Sequence, residues 1–366
     1  MSDISQQLIE QVQQAAATNT PINIQGRGSK SFMGRSASGT PLSVAEHSGI
    51  VSYQPVELVL TARAGTSLQE INAALAEHQQ MLPCESPVFA AGLSSSTTAT
   101  ESSFAGASLA GTLACNQSGP ARPWQGSIRD LVLGVRLING KAEHMRFGGQ
   151  VMKNVAGYDV SRLQAGAMGT LGLITEISLK VLPKPPATAT LTLACSADDA
   201  VKQMNTLAAQ AKPLTGACWL DDRLYLRLSG STQAVDGTLK QWPGERLEHD
   251  QEFWQQLTEQ QLSYFSGEQP LWRFSVKPNA DPIAIDGPWL LDWGGAQRWL
   301  RGEYAPEQLE TLAAQAGGQV AKYRGGDRHS DVFHSQPVPL QLIHQRLKQA
   351  MDPQGLFNPG RLYSWL

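Results

Sequence analysis

What this chain of 366 residues lacks narrows its function before any motif is read. It has no run of lysine and arginine, and its net charge is -3, so the basic footprint that nucleic-acid binding needs is missing. No apolar run approaches the roughly 18 residues of a membrane-spanning helix. The opening "MSDISQQLIEQVQQAAATNTP" lacks the basic start and continuous apolar core of a signal peptide. The four cysteines, Cys84, Cys115, Cys195 and Cys218, form no C-x-x-C pair, which argues against a zinc ribbon or a self-contained iron–sulfur site. They are expected as buried thiols in a reducing, cytoplasmic protein, with any iron–sulfur acceptor on another chain. What is present, 41% hydrophobic and 17% charged residues, is ordinary for a globular protein, and the length favours two domains.

The pattern of apolar residues gives the elements. The N-terminal stretch predicts an amphipathic helix with an Asp3/Gln6 capping box and an Ile9, Val12, Ala16 stripe. "PINIQGRGSKSFMG" is a strand that breaks into a glycine-bearing loop, and "ELVLTARAGTSLQEINAALAEHQQMLP" is a strand and a helix capped by Ser67 and Glu70, with Leu68, Ile71 and Leu75 on one face. Residues 89–106 have the Ser/Thr-rich composition of a surface excursion. "DLVLGVRLINGKAEHMRF" reads as a hairpin with a type I′ turn at Asn139-Gly140. The proline cluster "LPKPP" cannot continue a ladder and is expected as a linker. Beyond it come a strand over 188–195, a helix over 198–211, one strand over 218–228 and a helix near 252–264. Strands over 271–276 and 289–293, a helix over 306–316, a strand over 319–324 and a helix over 340–351 complete a mixed α+β region.

"RFGGQVMKNVAGYDVSRLQAGAMGTLGLITEISLKVLP" holds six glycines, and Gly166, Gly169 and Gly172 have the spacing of a nucleotide-binding fingerprint. A dinucleotide site of the Rossmann kind needs a helix after the glycines. Here Leu173 to Val181 alternate as a strand does, so that reading fails. "GRGSKS" also lacks the spacing of a Walker loop. What remains is two glycine-bearing loops at strand ends, with "AGTLACNQSGP" between them in the sequence. Such loops let backbone N–H groups approach phosphate oxygens closely, which suits an extended phosphate-bearing ligand; plain turns give the same pattern.

The order of these segments resembles the FAD-binding domain of the vanillyl-alcohol oxidase/p-cresol methylhydroxylase class, and within it the FAD-binding subunits of bacterial glycolate oxidases. The resemblance runs from about Pro21 to Pro183 and returns in "MDPQGLFNPGRL". It rests most on "VELVLTARAGTSLQEINAALAEHQQMLPCESP", on "SGPARPWQGSIRDLVLGVRLINGKAEHMRFGGQVMKNVAGYDVSRLQAGAMGTLGLITEISLKVLP" and on "NPGR". It implies an α+β fold: a two-subdomain FAD-binding domain over 1–185 (divided near residue 57), a smaller α+β cap domain over 186–330, and a segment over 331–366 returning to the first. Carried over by position, it implies that Gly26, Arg27, Gly28, Ser29 and Lys30 form the first pyrophosphate loop. Thr61, Ala62, Arg63 and Ala64 open the second subdomain, and Pro83 lies where the family approaches the flavin. Ala110, Gly111, Thr112, Ser118 and Gly119 match further flavin and pyrophosphate loops. Arg129, Asp130 and Leu131 match a strand start, Gly169, Gly172 and Ile174 the adenosine end, and Asn358 and Arg361 the segment that folds back to the flavin ring.

The departures matter as much. Where covalent members carry a histidine in the first loop, this chain has Ser29 and Lys30, which implies non-covalent FAD; Arg27 stands where a glycine is common. Related dehydrogenases carry an H-x-x-x-x-x-H metal and substrate cluster in the cap. "GGDRHSDVFH" lacks that pattern, so His329 and His334 are expected in a solvated loop with no metal, and His144 and His344 as structural. Seven of the nine tryptophans lie between Trp219 and Trp299, and core is the expected fate of most. In "KNVAGYDVSRL", Asp159 is expected to cap a short helix with Tyr158 packed beside the cofactor; presentation of both to the substrate is the competing reading. Lys153 and Arg162 are either solvated charges or neutralise an anion. No catalytic residue is identified. The resemblance implies a subunit that takes part in oxidising glycolate to glyoxylate, a small 2-hydroxyacid substrate, alongside a homologous larger flavin subunit and an iron–sulfur subunit. Its place is the cytoplasm or, through those partners, the inner membrane face. A self-sufficient FAD-dependent 2-hydroxyacid dehydrogenase, as for D-lactate, and a non-catalytic assembly subunit are the alternatives.

Overall fold

The computed structural model describes residues 2–89, 106–149 and 158–366. Lys153 and nearly all of the Ser/Thr-rich excursion lie outside them. The N-terminal helix, Ser5–Thr18, buries Leu8, Val12 and Ala15, one step round from the expected stripe. Asp3 forms no capping box. Its Oδ1 accepts the Ser5 N–H at 3.1 Å while Oδ2 pairs with Arg63, also at 3.1 Å, so the long-range cation draws the carboxylate away from the helix end. By contrast Ser67 caps Leu68–Ala76 as the sequence indicates, accepting the Glu70 N–H at 3.0 Å, and Leu68, Ile71 and Leu75 are buried.

Two sheets follow from the alternating segments. The strand Ile22–Gln25 pairs in parallel with Thr40–Ser43. An antiparallel five-stranded sheet runs Ile50–Gln54, Val59–Arg63, Leu173–Lys180, Val132–Ile138, His144–Gly148. Its middle strand, Leu173–Lys180, starts directly after the glycine triplet and is buried on both faces. The expected hairpin Val132–Ile138/His144–Gly148 forms, but not with a type I′ turn. The left-handed residue is Ala142, and Asn139 Oδ1 accepts the N–H groups of Lys141 and Glu143, each at 2.9 Å. Gly140 is needed for another reason: a Cβ there would lie 2.5 Å from Asp352 Oδ1.

The remaining strands form an eight-stranded antiparallel sheet in the order Glu245–Arg246, Ala187–Ala194, Arg223–Gly230, Leu214–Leu220, Trp289–Asp292, Gln297–Arg301, Leu271–Ser275, Gln319–Arg324. Helices Ala197–Ala208 and Thr232–Leu239 pack their apolar faces on it. The single strand expected over 218–228 is a hairpin, because Asp221 and Asp222 both take left-handed φ (49° and 55°), a conformation that Asp tolerates. The proline cluster is not wholly outside a ladder either, since Leu182–Pro183 pairs with Gln80–Met81. Six of the seven clustered tryptophans are buried, and Trp289 is half-buried. Of the four free cysteines, Cys84 and Cys218 are buried whereas Cys115 and Cys195 are half-buried, contrary to the expectation that all would be buried.

The C-terminal helix, Val338–Met351, leads the chain back to its beginning. Ile22 N–H donates to Leu356 O at 2.7 Å, Asn358 N–H donates to Ile22 O at 2.9 Å, and Phe357 is fully buried in the N-terminal core. Beneath this return lies a buried ion pair. Lys348 Nζ donates to Asp352 Oδ2, Phe357 O and Thr170 O at 2.7–2.8 Å. Asp352 in turn accepts the N–H groups of Leu356 and Phe357. One cation thus ties the last helix, the returning segment and the glycine triplet together.

Candidate functional site: a cationic, glycine-lined cavity

Three segments far apart in sequence converge on one cavity of about 260 Å³. The strand Ile22–Gln25 runs into residues 26–31 on one side. Ser108, Ala110, Gly111 and Cys115 come from the helix Leu109–Ala114 and its flanks. Met168, Gly169, Gly172 and Ile174 close it from the third side, with Asn358 and Arg361 at the end of the chain. Asn358 fixes the junction: its Oδ1 accepts the Ile24 N–H at 2.7 Å and its Nδ2 donates to Met168 O at 2.6 Å. Gly169, at φ +74°, permits this approach, since a Cβ would sit 2.8 Å from that Nδ2. Arg361 Nη2 donates to Ser31 O at 3.0 Å, which anchors the loop from outside.

The electrostatics select the ligand. Arg27, Lys30 and Arg361 line the cavity, and among the described residues no carboxylate does. Arg27 Nε donates to Gly65 O at 3.0 Å, which braces the loop on the Val59–Arg63 strand end. Lys30 is buried, and desolvation pushes its ammonium down to about 8, partly offset by the Cys115 thiol and Glu259. Its contact to Ser29 Oγ is long, at 3.4 Å. Burial pushes the Cys115 thiol up, and Lys30, Arg361 and Arg273 act against it. At Gly28 (φ +78°) a Cβ would meet nothing within 4 Å, so the backbone faces open space. Glycine backbone around a multiply cationic space fits the diphosphate of a dinucleotide cofactor.

The other residues singled out from the sequence fall elsewhere. Pro83 is buried, and Thr112 spends its hydroxyl on Ser108 O at 2.9 Å. Arg129, Asp130 and Leu131 do not open a strand: they form the short helix Ile128–Leu131, capped reciprocally by Ser127 and Asp130, and the strand starts at Val132. Asp159 does cap Val160–Leu163, accepting the Arg162 N–H at 3.0 Å, and pairs with Arg162 at 3.3 Å. Tyr158 is 96% exposed among the described residues. His329 is exposed, and His334 accepts the Val320 N–H at 3.4 Å. Ser108, Cys115, Met168, Asn23 and Gln25 line the cavity without a local signal that marked them as site residues.

Ser118 and Gly119 instead line a second, small cavity of about 20 Å³, shared with residues of the eight-stranded sheet. A fixed polar chain borders it. Gln260 Nε2 donates to Tyr323 OH and that hydroxyl donates to Gln117 Oε1, both at 2.9 Å. Arg273, Asp292, Gln297 and Trp299 complete the wall. Gly119 is held between the two sheets, its carbonyl accepting Trp293 Nε1 at 3.0 Å and its Cα so close to Glu85 O that a Cβ would lie at 2.3 Å.

Most of the residues that line the first cavity lie in the N-terminal part of the chain. A family model described as an FAD binding domain matches residues 4–148. The fold as a whole superposes on solved alkyldihydroxyacetonephosphate synthase with a TM-score of 0.63, covering 97% of this chain and 75% of that one at 14% identity, a likeness of fold alone. Fold and family model together define an α+β protein with an FAD-binding domain. More particularly, the chain is 45% identical over 364 residues to the glycolate oxidase subunit GlcE of Escherichia coli (strain K12), covering 100% of this chain and 99% of that one. It therefore belongs to the GlcE family of glycolate oxidase subunits. The glycolate oxidase subunit GlcD of Bacillus subtilis (strain 168) is 34% identical over 136 residues, 35% of this chain and 29% of that one.

Proposed function

We propose that the chain is the FAD-holding GlcE-type subunit of a glycolate oxidase, taking part in the oxidation of glycolate to glyoxylate with electrons leaving through partner subunits. The observation that carries this is the convergence of three distant glycine-bearing segments on one cavity lined by Lys30 and Arg361 and, among the described residues, by no carboxylate. It occurs in a chain that matches a GlcE end to end. Bound there non-covalently, FAD supplies the acceptor for the hydride of the substrate. In this reading Gly26, Arg27, Gly28, Ser29, Lys30, Ala110 and Gly111 hold the diphosphate through backbone N–H groups and charge, and Gly169, Gly172 and Ile174 hold the adenosine end. Asn358 and Arg361 fix the returning segment against it. The FAD-binding part is residues 1–185, the cap 186–330 and the returning segment 331–366. A larger homologous flavin subunit and an iron–sulfur subunit are its partners, in the cytoplasm or at the inner membrane face; no helix among the described residues is long and apolar enough to cross a membrane.

The test is to purify the chain alone, record its flavin spectrum and add glycolate without oxygen. Bound FAD that stays oxidised until the partner subunits are added supports a partner-dependent subunit. Bleaching in the isolated chain would replace that reading with a self-sufficient dehydrogenase. A folded, colourless protein that takes up no FAD would leave only an assembly role.

A further inference from the structure

The C-terminal helix Val338–Met351 turns its apolar residues away from its own molecule. Of its fourteen residues only Lys348 is buried, and that ammonium is engaged by Thr170, Asp352 and Phe357. Among the described residues seven large apolar side chains stand exposed, and four of them are Val338, Leu340, Leu342 and Ile343, at 42–65%. Val338 and Leu342 lie one helical turn apart with Ile343 beside them. Arg346 and Ala350, both exposed, continue that face on the side opposite Lys348. An amphipathic helix in a lone protein turns its apolar stripe to the core. A contiguous apolar patch left in solvent marks an interaction surface.

The helix is held ready for a partner. Lys348 pins its last turn from within, and Met351 packs against the N-terminal core. His344 stacks at 6.0 Å on Trp365, which stacks in turn on Tyr363 at 4.8 Å. A face fixed in this way costs little to order on binding. Charge decides what covers it. Residues 338–351 include His344, Arg346 and Lys348 and no carboxylate. With Lys348 engaged inside, Arg346 is the charge on the outward face. Twofold pairing with a second copy would bury both Arg346 side chains with no carboxylate on either helix to meet them, which is costly. A membrane-surface helix has a polar face rich in lysine and arginine, whereas this one carries three glutamines and a single outward arginine. A protein groove that is apolar and has a carboxylate opposite Arg346 satisfies both the stripe and the charge.

We propose that the outward face of Val338–Met351 is the surface by which this chain docks on a partner subunit. Leu342 and Ile343 are its anchors in an apolar groove, and Arg346 pairs with a carboxylate at the groove's rim. This rests on the function proposed above, in which the chain works through partner subunits, and adds the surface that joins them. The helix runs through Asp352 and Phe357 into Asn358 and Arg361, so the docked partner lies against the element that closes the cofactor cavity.

The test uses the full chain with its FAD, titrated by calorimetry with the purified larger flavin subunit and with the purified iron–sulfur subunit, at low and at high salt. The expected result is a complex that Leu342→Asp and Ile343→Asp each weaken at least about 30-fold. Arg346→Glu weakens it about 10-fold and removes most of its salt dependence. Flavin content and unfolding midpoint stay those of wild type, because the replaced side chains point away from the core. An unchanged Kd in both aspartate variants, or no complex of the folded wild-type chain with either subunit, overturns the proposal. If the aspartate variants do not fold, Arg346→Glu decides: weaker binding supports the assignment and an unchanged Kd overturns it. Self-association in sedimentation that Leu342→Asp abolishes would assign the face to a second copy and overturn the proposal. Pelleting with phosphatidylglycerol vesicles that Leu342→Asp abolishes would assign it to a membrane and do the same. The assembled complex separates the two readings. Unchanged assembly and glycolate oxidation in Leu342→Asp sinks the docking surface alone. Assembly that depends on Leu342 in a complex that does not oxidise glycolate sinks the function and leaves the surface standing.

Discussion

Lys30 is buried; among the described residues its ammonium meets Ser29 Oγ at a long 3.4 Å and the face of the Phe89 ring at 5.7 Å, and burial pushes its pKa down to about 8. In the function proposed above, a phosphate oxygen of FAD gives it a charged hydrogen-bond partner. Hydrogen bonds to charged groups contribute roughly 1.5–3 kcal/mol, so Lys30→Met is expected to weaken FAD binding about 10–100-fold in a fluorescence titration. The pH dependence has a fixed sign. Below about 8 the empty site is already protonated and affinity is flat; above it, binding an anion requires taking up a proton, so affinity falls as pH rises, by at most about tenfold per unit. Lys30→Met removes that slope, and a slope that persists in the variant would assign it to another group. The glycines that frame Lys30 were legible in the sequence because a loop that turns its N–H groups inward has few other ways to be built. Ser108, Met168 and Arg273 were not. Serine before a helix reads as a cap, which Ser108 also is, and an arginine in an alternating strand reads as a solvated face. Only the packing of distant strands turns either towards a cavity.

At the scale of elements, the return of the chain end depends on Lys348. On a helix it reads as one more exposed lysine, and nothing local marks it as the residue that joins Thr170, Asp352 and Phe357. Removing one partner of a buried pair leaves the other charge stranded, which costs about 3–5 kcal/mol. Lys348→Met is therefore expected to lower the unfolding free energy, read from urea denaturation, by that amount. Because Thr170 and Phe357 flank Gly169 and Asn358, the flavin content of the purified variant falls with it. A variant that loses stability yet binds FAD normally would show that the returning segment does not hold the cavity. Sequence periodicity located this helix to within two residues at its start and none at its end, since amphipathic spacing survives tertiary packing. It failed at Asp221–Asp222, where two successive aspartates stand in for the glycine that usually signals a tight hairpin. It failed again at the capping box of Asp3, where the competing cation, Arg63, is far away in sequence.

For the molecule as a whole, the sequence pointed to mixed α+β architecture and, through the family resemblance, to FAD, but not to the buried charge over which the two sheets meet. Arg227, on the strand Arg223–Gly230, pairs at 2.8 Å with Glu85, whose Oε2 also takes the Ala121 N–H at 3.2 Å. Beside them Asp292 is buried, and its carboxyl rises to about 7, chiefly through desolvation and in part through Glu85; the Trp293 N–H, Arg227 and Gln297 pull the other way. In the folded protein this carboxyl keeps its proton up to about pH 7, whereas the unfolded chain releases it near 3.8. Between those values the folded state binds more protons, so this group's contribution to stability declines as pH rises, and its full cost is in place above about 7. Asp292→Asn keeps an acceptor for the Trp293 N–H without the charge. Its stability relative to wild type is therefore expected to be near neutral at pH 4 and to grow through pH 7, reaching on the order of a few kcal/mol by pH 8. Thermal or urea unfolding of both proteins across that range measures the difference directly. A constant offset would mean that Asp292 titrates normally and that water reaches the junction between the sheets. A widening one means that the junction is dry, which is the condition under which the Arg227–Glu85 pair interacts most strongly.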